Sequence, residues 1–95
     1  MRFTTKNNLN HYIKIKRAEK IAERGGSKVL LREVEEELAN FCGVTRDAIY
    51  SIKMNRAQPS LHVAMRISEY FGVPVGEIFK LVVINDEDDN KQKEN

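Results

Sequence analysis

Between Phe41 and Asp47 the chain reads Cys-Gly-Val-Thr-Arg, and this short interval restricts the fold more than any other feature. On its N-terminal side Leu31, Val34, Leu38 and Phe41 recur at three- and four-residue steps, the period of one helix face, with Glu33, Glu35, Glu36 and Glu37 mostly on the wet side. On its C-terminal side Val44, Ala48, Ile49 and Ile52 fall on one side of a further helical stretch that runs to about Met54. Gly43 suits the left-handed residue that ends a helix, and Thr45 suits the N-cap of the next. Two helices joined by so few residues have no chain to separate them and must pack against each other.

The rest of the punctuation adds three more helices. From about Asn8 the segment LNHYIKIKRAEKIAER carries a rough apolar stripe of Leu9, Tyr12, Ile13, Ala18, Ile21 and Ala22, and Gly25-Gly26 stops it. Ser27 is the expected N-cap of the second helix. After a polar loop at Asn55–Gln58, Ser60 caps a fourth helix with Leu61, Ala64, Met65, Ile67 and Phe71 inward, and Gly72 ends it. Pro74 is tolerated in a helix's first turn, so VPVGEIF reads as a short fifth helix with Val75, Ile78 and Phe79 inward. Connectors this short leave no room for a substantial sheet, and the expected fold class is all-α with five helices over residues 9–80.

Two segments lie outside the helical pattern. Residues 1–8 have no clear period and are expected as an extended arm. Leu81, Val82, Val83 and Ile84 are mostly β-branched and admit two readings: the chain lying against the core, or an edge strand that pairs with its copy in a second subunit. Beyond them, residues 85–95 are too polar to bury and are expected as a disordered acidic tail.

Ninety-five residues suffice for one domain with a modest core. No apolar run approaches the roughly 18 residues that a membrane helix needs, and the first residues lack the apolar segment of a signal peptide, so a cytoplasmic protein is expected. Cys42, the one cysteine, excludes an internal disulfide and the usual paired-cysteine zinc site and reads as a small buried hydrophobe. His11 and His62 are isolated from other ligand types. With no phosphate-binding glycine loop or nucleophile motif, neither enzyme activity nor a cofactor or metal is expected.

The net charge of +2 hides an asymmetry. Residues 81–95 hold five acids against two lysines, a net of −3, which leaves +5 on residues 1–80, and residues 1–32 alone carry nine Lys or Arg against two Glu. A basic globule with an acidic tail suits a polyanionic partner.

The series ELANFCGVTRDAIYSIKMNRAQPSL resembles the Cro/C1 or XRE-type helix-turn-helix of phage repressors and bacterial regulators. The resemblance rests on Leu38, Ala39, Gly43, Val44, Thr45, Ile49, Ile52, Asn55, Arg56, Pro59, Ser60 and Leu61, continues through ISEYFGVPVGEIF, and spans about Arg32 to Phe79. It implies a lambda repressor-like domain with its helix-turn-helix at residues 28–54. It also implies a transcriptional regulator, most simply a repressor, that binds a palindromic operator in double-stranded DNA as a homodimer. The same fold also serves as a protein-binding, antitoxin-like module, for which the acidic tail would be a docking segment.

Physical reasoning and resemblance select the same side chains. A helix in the major groove keeps its apolar side on its support and presents its N-terminal residues to base edges, which here are Arg46, Asp47, Tyr50 and Ser51. Asp47 has an equal claim as a helix-dipole partner that holds Arg46. Thr45, Lys53, Asn55 and Arg56 are the candidates for phosphate contacts. Two positions depart from the family. Glu35 stands where relatives carry a Gln beside a phosphate, and the glutamates around it would repel DNA, so Lys28 or Arg32 is a candidate to replace that contact. Lys53 stands where the family favours an acid paired with the first helix, so that pair is not expected in its usual form.

Overall fold

A computed structural model of the protein describes residues 1–84. Strand β1 (Arg2–Asn7) precedes helices α1 (Leu9–Glu23), α2 (Leu31–Cys42), α3 (Arg46–Lys53), α4 (Leu61–Phe71) and α5 (Val75–Ile78), and strand β2 (Phe79–Ile84) follows them. The five helices close around Leu9, Ile13, Val34, Leu38, Ile49, Ile67 and Ile78, all withdrawn from water, with Val29 plugging the floor from the α1–α2 connection. Cys42 is part of this core, and burial pushes its thiol up from the ordinary value.

Local chemistry sets the helix ends. Gly43 takes φ +73°, and the amides of Val44 and Gly43 donate to the carbonyls of Ala39 and Asn40, closing α2 in a left-handed turn. A Cβ at Gly43 would meet nothing within 4 Å, so the backbone angle rather than lack of space calls for glycine. Thr45 Oγ1 accepts from the Ala48 amide and Ser60 Oγ from the Val63 amide, the caps expected for α3 and α4. Ser27 does not cap α2. Its hydroxyl donates to the Arg24 carbonyl at the end of α1, and α2 begins only at Leu31.

Several expected inward residues face out. Leu61 is 77% exposed and Met65 is also exposed, while Val63, Ala64 and Ile67 form the buried stripe of α4. Apolar residues cover more than half of this helix's circumference, so its period does not choose a face; packing on α2 does. Ala18 and Ala22 lie on the solvent side of α1, and Phe41 is only half covered, with the Arg66 guanidinium 3.9 Å from its ring. A polar staple joins three helices nearby: Glu37 accepts from Lys20 of α1 at 2.5 Å and from the Tyr70 hydroxyl of α4 at 2.6 Å. Burial raises the Glu37 carboxyl, but these two bonds together with the positive charges of Lys20 and Lys16 outweigh it and hold the group below its ordinary value.

The ends of the described chain pair with each other. β1 and β2 run antiparallel from Arg2↔Ile84 to Asn7↔Phe79, so the expected arm over residues 1–8 is a strand and the candidate strand at 81–84 finds a partner in its own chain. Asn7 joins this sheet to the helices. Its Nδ2 donates to the Ile52 carbonyl at 2.7 Å, its Oδ1 accepts from the Leu9 amide, and its own amide donates to Asn55 Oδ1. The acidic tail at 85–95 lies outside the described residues.

Asn7→Ala removes the acceptor of the Leu9 amide and one of the two donors to the Ile52 carbonyl, which keeps only the Asn55 amide. It should cost about 2 kcal/mol in urea unfolding, with β1 amides exchanging hydrogen well before the helical core.

Candidate nucleic-acid interface

Helix α3 has two functional sides because its residues recur at the helical period. Ile49 and Ile52 are buried, and Arg46 and Lys53, two turns apart, flank Ile49 on the side turned toward α2. Asp47, Tyr50 and Met54 form an exposed stripe on another side, with Ser51 half-buried beside them. Lys53 Nζ lies 5.0 Å from the centre of the Tyr50 ring. The four base-reading candidates therefore separate: Asp47, Tyr50 and Ser51 belong to one open face, and Arg46 stands at its border.

Arg46 is held by Glu35 rather than by Asp47. Glu35 on α2 is 2% exposed, and its two oxygens face two cations: Oε1 accepts from Arg46 Nε at 3.1 Å and Oε2 from Lys53 Nζ at 2.6 Å. A carboxylate so deep must keep its counter-charges, and here both come from α3. The expected clash between glutamates and DNA is met in the same way along the helix. Glu33 pairs with Arg24, Glu36 with Arg32 and Glu37 with Lys20, all within 3.2 Å. Much of the N-terminal positive charge thus neutralises α2 from within.

The phosphate candidates divide accordingly. The Lys53 side chain is only 10% exposed and bound to Glu35, so it is withdrawn from the surface, and its ion pair joins α3 to α2 instead of to α1. Asn55 takes φ +59°, a conformation that asparagine tolerates better than most residues, and aims its amide oxygen at Asn7. It anchors β1. Thr45 acts as the cap, and Arg32 is engaged by Glu36. Arg56 and Lys28 are exposed and have no ion-pair partner among the described residues.

Gln58 was not singled out by its sequence context, yet it binds β1 through the Thr4 hydroxyl and the Thr5 carbonyl and contacts the Thr5 hydroxyl. Asn7 and Gln58 carry no periodic signal, because each acts across about fifty residues of chain. The Glu35 contacts did have one. Arg46 and Lys53 are seven residues apart, which puts them on one stripe, and the acid needed to face that stripe had to come from α2.

A helix-turn-helix family model matches residues 35–78, from the buried glutamate through α5. The chain is also 40% identical over 45 residues to an uncharacterized HTH-type transcriptional regulator of Methanocaldococcus jannaschii, a match covering 47% of this chain and 68% of that protein. The chain belongs to the Cro/C1-type helix-turn-helix family. In it α2, the turn at Gly43 and α3 make up the helix-turn-helix. A putative HTH-type transcriptional regulatory protein of the same organism is 37% identical over 87 residues, covering 78% of this chain and 27% of that protein. Another, of Methanococcus vannielii, is 41% identical over 66 residues, covering 57% and 20%. The helix-turn-helix chain thus spans between a fifth and about a quarter of the length of these two longer relatives.

Lys53→Met leaves Glu35 with a single, partly exposed counter-ion and should lower stability by roughly 3 kcal/mol. Adding Glu35→Met to that variant should recover most of the loss, because the buried charge goes too. Urea unfolding of the two single variants and the pair gives the coupling directly.

Proposed function

We propose that the protein is a sequence-specific DNA-binding transcription regulator that lays α3 in the major groove. The observation that carries this is the division of α3: two isoleucines and a buried ion pair hold it on α2, while Asp47, Tyr50 and Ser51, with Arg46 at their border, remain open to a partner. These groups match base-edge chemistry. Arg46 suits guanine, Asp47 suits the amino group of cytosine, and Tyr50 suits a thymine methyl or a phosphate. Arg56, just past the helix, and Lys28, before α2, suit phosphates on either side of the groove.

A dimer on a palindromic operator, with half-sites about 34 Å apart, is the arrangement proposed, and repression follows from occupying that site. The sheet supports it. The outward backbone groups of β1 at Thr5 and Asn7 bind Gln58 and Asn55, so β1 turns its other edge to β2. β2 is then left with an outer edge at Leu81 and Val83, whose side chains are both exposed, Leu81 by 71%. An antiparallel pairing of two such edges, carried by Leu81, Val82, Val83 and Ile84, satisfies both strands around a two-fold axis.

Selection from a random duplex pool followed by anisotropy titrations tests the DNA reading, and absence of any preferred duplex at low salt overturns it. Arg46→Ala should change the preferred sequence, with a loss of about 1–3 kcal/mol on the original site. Arg56→Ala should weaken all duplexes alike and lower the salt slope by about one. The paired change Leu81→Lys and Val83→Lys should yield a monomer in sedimentation and remove the advantage of a palindrome over a half-site. A dimer that survives it places the interface elsewhere.

A further inference from the structure

The set Glu35, Arg46 and Lys53 does more than close a gap between two helices. Its three charges sum to one positive charge, and burial decides where that charge emerges. Glu35 and Lys53 are nearly sealed, at 2% and 10% of side-chain exposure, whereas Arg46 is 34% exposed. Arg46 donates its Nε to Glu35, and its two Nη groups have no partner among the described residues. The guanidinium is thus tied at Nε, and both Nη groups remain unengaged on a side chain that is one-third exposed.

We propose that Glu35 is a positioning residue for DNA specificity. It holds Arg46 so that only its Nη pair meets the groove, and it keeps Lys53 away from the phosphates. The inference rests on α3 being the groove helix. An unrestrained arginine in a helix's first turn has many rotamers and can take any phosphate within reach, which adds affinity but no sequence information. Tied at Nε, the same side chain retains the two parallel N–H donors that a guanine O6/N7 edge accepts, with less rotamer freedom to lose. Lys53 completes the arrangement. With Arg46 as its only counter-ion, the Glu35 carboxylate would cancel the charge that Arg46 presents; with Lys53 on the second oxygen, that charge is preserved.

The two halves of DNA binding should respond in opposite directions. Glu35→Gln keeps the shape but removes the negative charge, which releases both cations. Binding to a scrambled duplex should tighten and its salt slope steepen by about one, while the preference for the selected duplex over the scrambled one falls by ~10-fold or more. Lys53→Gln should leave scrambled-duplex binding and its salt slope unchanged and weaken only the selected duplex. Both variants are titrated by anisotropy as full chains at low temperature, with helical content checked by circular dichroism.

A purely structural role for Glu35 predicts parallel losses on both duplexes in proportion to the unfolded fraction, and that result overturns the proposal. So does a salt slope that drops by one in Lys53→Gln, which would make Lys53 a phosphate contact. If Glu35→Gln does not fold, the Lys53→Gln titrations decide alone. Wild-type protein without any duplex preference refutes the groove assignment of α3, whereas a wild-type preference that Glu35→Gln leaves intact refutes only the role of Glu35.

Discussion

A carboxylate taken out of water must bring its counter-charges with it, and at Glu35 that requirement ties α2 to α3. Hydrophobic contact through Ile49 and Ile52 brings the two helices together, but apolar packing tolerates sliding and rotation better than a pair of directed hydrogen bonds does. The bonds from Arg46 and Lys53 enter Glu35 from positions two helical turns apart, so they oppose both movements. The open stripe of α3 is presented at the angle that this three-charge contact sets.

The same principle redistributes charge across the whole domain. The N-terminal third looks like a polyanion-binding surface in composition, yet Lys20, Arg24 and Arg32 each face a glutamate of α2. Most of these pairs are exposed and contribute modestly to stability. Their larger effect is electrostatic, since a helix carrying four glutamates next to the candidate DNA-reading helix has most of that charge answered from within. Among the described residues, positive charge without an ion-pair partner persists at points such as Lys28 and Arg56, which flank the helix-turn-helix.

The small sheet solves a different problem. Segments with exposed backbone at both ends of a small domain invite uncontrolled pairing, and here β1 and β2 satisfy each other along one edge. Asn7, Asn55 and Gln58 then fasten β1 to the loop that follows α3. These hydrogen bonds join the strand pair to the end of the candidate DNA-reading helix, so a dimer built on β2 would restrict the separation of its two α3 helices.

Helix number, the turn at Gly43, the caps at Thr45 and Ser60 and the two isoleucine anchors were all legible in the chain, because each depends on residues within a turn or two of one another. The helix-turn-helix resemblance was legible for the same reason. Tertiary structure alone decided the rest. Ser27 lost its capping role to the packing of the α1–α2 connection, Leu61 and Met65 turned outward because α2 covers only one side of an amphipathically ambiguous helix, and Asn55 serves β1 across 48 residues. Lys53 read as DNA-facing because its partner, Glu35, lies on another helix, and the same partner fixes how Arg46 is held. Local periodicity determines which residues share a face; what that face meets depends on contacts distant in sequence, and on which buried charge must be answered there.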